Sequence, residues 1–232
     1  MRLTNKIVWA IITAKNEQKT IEDIVKRTQK HVNQVLVVND GSTDLTLPKA
    51  ASGGATVVSN VISYGKGTSM KFGWWYLQNL QQLKSDDIIV TLDANQHNPD
   101  DIPKFIKALN NSEMVIGERD ISNYPFIKRF GNKLLSSWAS LLSGQNIKDG
   151  ECGFRAFHYD IMLDLLKWVN APSYEVEMQI NIVTSLLKNK ISFIPINAPY
   201  EKGGTSIKTG IRSFWYGLKT WIKFILTKRG MW

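Results

Sequence analysis

Cysteine is nearly absent from this chain: 232 residues contain one, Cys152. A single thiol excludes a disulfide framework and a cysteine-built zinc site. Long apolar runs are missing too. No uncharged stretch approaches the roughly 18–20 residues that a membrane-crossing helix needs. No leader is expected, because Met1–Lys6 runs straight into a strand-like segment. The turn after that strand, Thr13-Ala14-Lys15-Asn16-Glu17, has no glycine, which removes the GxGxxG dinucleotide fingerprint. Gly65-Lys66-Gly67-Thr68 is only a fragment of a P-loop. Internal repeats, low-complexity tracts and linkers are also lacking.

Hydrophobic residues make up 43% of the chain, well above the range of disordered sequences. A chain of this length forms one domain, or one domain with an appendage, burying about 70% of its unfolded surface without a metal or disulfide staple. The formal net charge is +9. The excess is local: Lys188–Trp232 carries nine basic residues and one acidic, with Trp215, Trp221 and Trp232 among them. Such a basic, aromatic segment suits an anionic membrane surface or nucleic acid, or packs as a solvated helix on its own domain.

The first half alternates strand and helix. Strands are predicted at Ile7–Thr13, Gln34–Asn39, Ala55–Asn60, Asp87–Leu92 and Met114–Gly117. Helices are predicted after Thr20, in a short piece beyond Asp44, at Lys66–Leu83 and at Pro99–Leu109. This pattern means a parallel, doubly wound sheet, with ligands beyond the carboxyl ends of the strands. Those ends carry Asn16 and Glu17, Asp40, Asn60 and Asp93. The second half reads as helices at Asn132–Ser143, Tyr159–Val169, Tyr174–Lys188 and Arg212–Arg229. A strand is predicted at Ile191–Asn197, followed by a polar loop at Pro199–Gly210.

Four clusters bear chemistry. Asp40-Gly41-Ser42-Thr43-Asp44 ends a strand in a carboxylate that suits the ring N–H of uracil or guanine, or serves an Asx-turn and helix cap. Asp93-Ala94-Asn95-Gln96-His97 offers oxygen donors for Mg²⁺ or Mn²⁺, or caps the helix at Pro99. Asp149-Gly150-Glu151-Cys152-Gly153-Phe154-Arg155 supplies a general base or a metal-positioning carboxylate, or closes a loop salt bridge to Arg155. Arg119, Lys128, Arg129 and Lys133 surround a turn at Pro125; the guanidinium forks suit phosphate oxygens, whereas Lys133 reads as solvated surface.

The order of these pieces resembles the inverting family-two glycosyltransferases of GT-A fold, and within them the polyprenol-phosphate (dolichol-phosphate mannosyltransferase) type. The resemblance runs from Ile7 to Lys208. It rests on Ala14-Lys15-Asn16-Glu17, Val37 to Asp44, Asn60 with Gly65-Lys66-Gly67, Leu92 to Pro99, Val115 to Arg119, Asp149 to Arg155, Tyr174-Glu175-Val176-Glu177, and Tyr200 to Lys208.

The resemblance implies an α/β GT-A domain over residues 1–210, with a mostly parallel sheet, and an amphipathic membrane-surface helix over 211–232. It implies transfer of a sugar from a UDP- or GDP-linked donor to a polyprenyl phosphate, at the cytoplasmic face of a membrane. Asn16, Glu17, Asp40, Lys66, Asp93 and Lys208 would serve the nucleotide sugar. Asp93 and Gln96 would hold Mg²⁺ or Mn²⁺, and Arg119, Lys128 and Arg129 the acceptor phosphate. Asp149 would lie by the donor sugar, making Asp93, Asp149, Arg119 and Arg129 the catalytic set. One departure stands out: the family's Asp-Ala-Asp-x-Gln-His is one residue shorter here, with Asn95 near its second carboxylate, so metal binding is expected to be weaker. An anionic phosphate acceptor requires no strong base; a hydroxyl acceptor would require one, and Asp149 is the candidate. The rivals are a glycan or protein hydroxyl acceptor and a nucleotide-sugar-binding protein without catalysis. No nucleic-acid motif accompanies the basic tail, so nucleic acid is not an expected partner.

Overall fold

The computed structural model describes residues 6–199 and 206–228. They form strands β1 (Val8–Ala14), β2 (Gln34–Asp40), β3 (Thr56–Asn60), β4 (Ile88–Asp93), β5 (Met114–Arg119), β6 (Arg155–His158) and β7 (Ile191–Ile196). The helices are α1 (Ile21–Thr28), α2 (Thr46–Ser52), α3 (Lys66–Leu80), α4 (Ile102–Ala108), α5 (Phe126–Ser143), α6 (Tyr159–Trp168), α7 (Val176–Leu186) and α8 (Ile207–Lys228).

The strands make one seven-stranded sheet in the order β3-β2-β1-β4-β6-β5-β7. β1 pairs in parallel with β2 and β4, as β2 does with β3 and β5 with β7. Buried strand residues such as Ala10, Ile12, Leu36, Val37, Ile89 and Val90 form continuous apolar runs, as a sheet covered on both faces requires. The strand order reverses between β1 and β4, which opens a crevice at their carboxyl ends. The register sets Thr13 opposite Asp93 there, and Asp40 opposite Asn60 on the β2 side.

β6 was not expected. It runs antiparallel to both β4 and β5, so the sheet is mixed at this strand. Its consequence is functional: an antiparallel strand begins where its neighbours end. The loop Asp149–Phe154 is therefore delivered to the ligand edge, with Arg155 opposite Thr91 and Ile116.

Two helices start earlier than predicted. α5 begins at Phe126 rather than Asn132, with the Pro125 carbonyl accepting from the amides of Lys128 and Arg129 at 2.9 and 3.1 Å. α8 begins at Ile207 rather than Arg212, because Ser206 Oγ accepts from the Thr209 amide at 3.2 Å as an N-cap. The expected loop at Pro199–Gly210 is therefore helical from Ile207, and its residues 200–205 lie outside the described residues. α8 packs on α5 through stacked Trp138 and Phe214 rings 4.2 Å apart, and on α7 through Gln179 and Thr220 at 2.7 Å. Arg212 Nε sits 2.7 Å from Oε1 of the buried Glu175 just ahead of α7.

Candidate active site

Asp40 ends β2 only 5% exposed. Its oxygens accept from Asn60 Nδ2 (3.1 Å), Ser63 Oγ (2.6 Å), the amides of Tyr64 (2.9 Å) and Gly65 (3.0 Å), and Ser69 Oγ (2.8 Å). Burial pushes this carboxyl up, but the hydrogen bonds outweigh it and hold the group below the usual carboxylate range. Five donors fill the acceptor capacity of a carboxylate. The observed role is thus to brace the segment 61–65 that leads into α3; no lone pair is left over for a base in this arrangement.

Asn16 stands at φ 56° and ties the β1 turn to the β2 turn. Its Oδ1 accepts from the Thr43 amide and its own amide donates to Ser42 Oγ, both at 2.9 Å. Glu17 donates its amide to Thr46 Oγ1 at 2.7 Å. Glu17 Oε1 accepts from Asn95 Nδ2 at 2.9 Å. An aspartate at position 95 would instead set two carboxylates against each other.

The centre of the crevice is an ionic cluster. Lys66 opens α3 and reaches Asp93 Oδ1 at 2.7 Å and Glu177 Oε1 at 2.9 Å. Arg155 Nη2 lies 2.9 Å from Glu177 Oε2. Burial pushes the Lys66 ammonium down, but Asp93 and Glu177 overcome it and keep it charged. Burial likewise pushes Asp93 up, and the Lys66 ammonium brings it below the carboxylate range. His97 is buried, and its Nδ1 accepts from the Asp93 amide at 2.9 Å. Desolvation lowers this imidazole to about 4, so it stays neutral and fixes the shortened turn after β4. Gln96 is half-buried and Asn95 exposed on the same turn.

Beside this cluster, Arg119 at the end of β5 makes a two-pronged pair with Asp149: Nε to Oδ2 at 2.7 Å and Nη2 to Oδ1 at 2.8 Å. Burial raises the Asp149 carboxyl, but Arg119 more than offsets it and the group lies below the usual range. The salt bridge expected within the loop, from Asp149 or Glu151 to Arg155, is not formed. Asp149 pairs across to β5, and Arg155 pairs forward to α7. A carboxylate held in this way is a poor proton acceptor, so Asp149 is not poised as a base in this arrangement and would have to leave Arg119 to act as one.

Arg119, Arg129 and Lys133 line one cavity of about 830 Å³, with Glu118, Asp120 and Asn197. Arg129 and Lys133 are one helical turn apart and exposed on α5, so Lys133, read as plain surface, belongs to the basic wall. Lys128 is half-buried on α5 and is not among the residues lining the cavity. Lys208 is exposed in the first turn of α8 rather than in a loop, since Ser206 caps the helix ahead of it. Among the described residues no group of three or more His, Cys, Asp or Glu side chains forms a ready-made metal cage.

Sequence reasoning singled out Glu151 and Arg155 in one loop and Glu177 in the Tyr174–Glu177 motif, but not the pairing of Arg155 and Lys66 with Glu177. Glu151 Oε1 is buried with no hydrogen-bond partner among the described residues. Desolvation, with Glu177 next, pushes this carboxyl up to about 7 from 4.5. The folded state then keeps a proton that the unfolded chain has lost, so stability falls as pH rises from about 4.5 to 7. His97 has the opposite slope: the unfolded imidazole takes a proton below 6.5 and the folded one only near 4, so stability falls as pH drops through that window. The two trends oppose each other from about 4.5 to 6.5. Glu151→Gln should therefore become more stable relative to the unsubstituted protein as pH rises from 5 to 8, by on the order of 1–3 kcal/mol. Urea melts across that range check it; a difference independent of pH overturns it.

Comparison with known proteins agrees with this fold. The chain is 30% identical over 239 aligned positions to the UDP-N-acetylglucosamine–dolichyl-phosphate N-acetylglucosaminyltransferase of Methanococcus voltae, covering 92% of this chain and 95% of that one. It is 25% identical to the undecaprenyl-phosphate mannosyltransferase of Micrococcus luteus, over 88% of each chain. The fold matches glucosyl-3-phosphoglycerate synthase from Mycobacterium tuberculosis, crystallised with Mn²⁺, UDP and phosphoglyceric acid. The TM-score is 0.72 at 19% identity, covering 94% of this chain and 79% of that one. Residues 9–164 match the profile of Glycosyl transferase family 2, and the chain belongs to that family as a glycosyltransferase of GT-A fold.

Proposed function

We propose that this glycosyltransferase moves a sugar from a nucleotide diphosphate to a polyprenyl phosphate at a membrane surface, with inversion at the anomeric carbon. The observation that carries this reading is the cavity beside the Lys66–Asp93 centre, where Arg119, Arg129 and Lys133 outnumber Glu118 and Asp120, and Glu118 is itself paired with Lys148. A phosphate there would face guanidinium and ammonium groups. The named transferases that this chain resembles take dolichyl or undecaprenyl phosphate. The M. voltae relative uses a UDP-sugar and the M. tuberculosis structure holds UDP, which favours UDP over GDP.

The residues fit a divalent cation. Asp93 is an anionic oxygen donor at the sheet's switch point and already attracts a cation, the Lys66 ammonium. Asp93 would hold Mg²⁺ or Mn²⁺, with Gln96 and the side-chain oxygen of Asn95 completing the protein's share. When bound, such a cation neutralises charge on the leaving diphosphate. Lys66 and Lys208 would add cationic charge to the same phosphates. Asn16 and Glu17 lie on the donor side, and Asp40 shapes that side by bracing residues 61–65. The acceptor phosphate is an anion near neutral pH, so no side chain has to take its proton. This agrees with Asp149 being held by Arg119 rather than free to act as a base.

Two adjacent helices support membrane contact. Neither α5 nor α8 contains an acidic residue. α5 exposes Phe126 (79%), Ile127, Phe130, Leu134 and Leu141 (73%). α8 exposes Ile207, Ile211, Trp215 and Ile222. Lysines and arginines lie among them, the pattern of a surface that rests on anionic lipid. No described helix is long and apolar enough to cross a membrane. The reading puts the segment 211–232, of which 229–232 lie outside the described residues, at the lipid surface on the cytoplasmic face, with residues 1–210 as the catalytic domain.

The test supplies radiolabelled UDP-sugar, Mg²⁺ or Mn²⁺, and anionic vesicles with or without polyprenyl phosphate. Label should enter the organic phase only when the lipid phosphate is present, and the protein should float with the vesicles. Label confined to a water-soluble product, with a glycan or a small phosphorylated acceptor added, would overturn the lipid acceptor.

A further inference from the structure

We propose that the Lys66 ammonium is a built-in competitor for the divalent cation at Asp93: the cation has to displace it, and the donor diphosphate, arriving with the cation, takes up the displaced ammonium. The proposal rests on the reading above, in which Asp93 binds the metal.

The geometry is specific. Gly65, at φ 96°, turns the chain into α3 so that Lys66 points into the crevice. The Lys66 side chain is 11% exposed, Asp93 21% and Glu177 2%. The ammonium lies 2.7 and 3.0 Å from the two oxygens of Asp93, so it engages both of them. It also lies 2.9 Å from Glu177, whose other oxygen is 2.9 Å from Arg155. Two cations face two carboxylates, and the buried cluster is neutral. A divalent cation entering alone at Asp93 would put two unbalanced positive charges in a partly desolvated site, beside an ammonium it repels. A diphosphate entering with the cation restores the balance and gives the ammonium a new anionic partner. Glu177 keeps Arg155 when Lys66 leaves, so departure strands no carboxylate there. Cation and nucleotide should therefore bind with positive coupling, and each should bind weakly alone.

Calorimetry with Mn²⁺ alone, UDP alone and both together reads this directly. In the unsubstituted protein, UDP should raise Mn²⁺ affinity at least tenfold. Lys66→Met should bind Mn²⁺ alone at least tenfold more tightly, and gain less from UDP. A folded Lys66→Met protein with unchanged or weaker affinity for Mn²⁺ alone overturns the proposal while leaving the metal reading intact. Failure of the unsubstituted protein to bind Mn²⁺ even with UDP overturns the metal reading and the proposal with it. Reductive methylation of the unsubstituted protein, read by mass spectrometry, avoids any folding defect of the variant. Lys66 should be protected without metal, more reactive at saturating Mn²⁺, and protected again with Mn²⁺ and UDP. Protection that does not change on adding Mn²⁺ overturns the proposal.

Discussion

Arg155→Met is expected to destabilise the fold by about 3–5 kcal/mol, the range for removing one partner of a buried ion pair. Arg155 is fully buried. Its guanidinium serves four groups besides the Glu177 carboxylate. Nε donates to the Cys152 carbonyl at 2.9 Å and Nη1 to Asn181 Oδ1 at 2.8 Å. Nη2 donates to the carbonyls of Glu177 and Gly150 at 3.4 and 3.5 Å. Methionine fills much of the volume but supplies none of these donors. Glu177 would then face Glu151 with only Lys66 to balance it. Lysine would not rescue the site, because an ammonium cannot satisfy these divergent acceptors. For a domain of this size the loss corresponds to a fall in melting temperature of about 10 °C. Adding Glu177→Gln to Arg155→Met should recover part of the loss, since the buried charge that has lost one of its two cationic partners disappears. Urea unfolding of the single and double variants measures this; a loss under about 1 kcal/mol for Arg155→Met would show that the pair contributes little.

The parallel half of the sheet was legible because its strands are short runs rich in β-branched residues, and β2, β3 and β4 each end in a polar residue. Ile11, Ile12 and Val37 fix burial, and Asp40, Asn60 and Asp93 mark the ligand edge. The same rule fails for β6. Its four residues, Arg-Ala-Phe-His, show no apolar alternation, and a buried arginine reads as loop. The charge partners were illegible for a different reason. Asp149 lies 30 residues from Arg119, and Arg155 lies 22 from Glu177. Local spacing favours pairing inside the loop, whereas the antiparallel turn of β6 sends the two basic groups in different directions. The start of α5 was hidden because Phe126, Ile127 and Phe130 are apolar yet exposed, which inverts the pattern of a helix on a core. The role of Glu177 could have been suspected: two acidic residues, two apart, open an otherwise uncharged helix at Tyr174-Glu175-Val176-Glu177. Both are buried, and each meets an arginine brought by another element.

Gly153→Ala should lower kcat/KM by about 100-fold, the scale of a misplacement near 1 Å in a catalytic centre, while changing stability far less than Arg155→Met does. A Cβ on Gly153 would stand 2.5 Å from Lys66 Nζ and 2.9 and 3.3 Å from the two oxygens of Asp93. The backbone cannot retreat easily. The Gly153 carbonyl accepts from Thr91 Oγ1 at 2.9 Å on β4, and the next carbonyl, of Phe154, accepts from the Gly117 amide at 2.9 Å on β5. The side chains must give way instead. The ammonium is the far end of a flexible chain and can move at little cost. Asp93 is short, ends a strand, and has its amide fixed by His97. Its carboxylate must rotate away from the direction in which the metal and the donor phosphates are expected. The two substitutions sit two residues apart and should separate cleanly: Arg155→Met lowers the melting temperature, and Gly153→Ala lowers turnover in a protein that melts nearly normally. Steady-state kinetics beside thermal melts decide the matter. A Gly153→Ala protein within threefold of the original kcat/KM would show that the close approach of this loop to Lys66 and Asp93 does not shape the reaction centre.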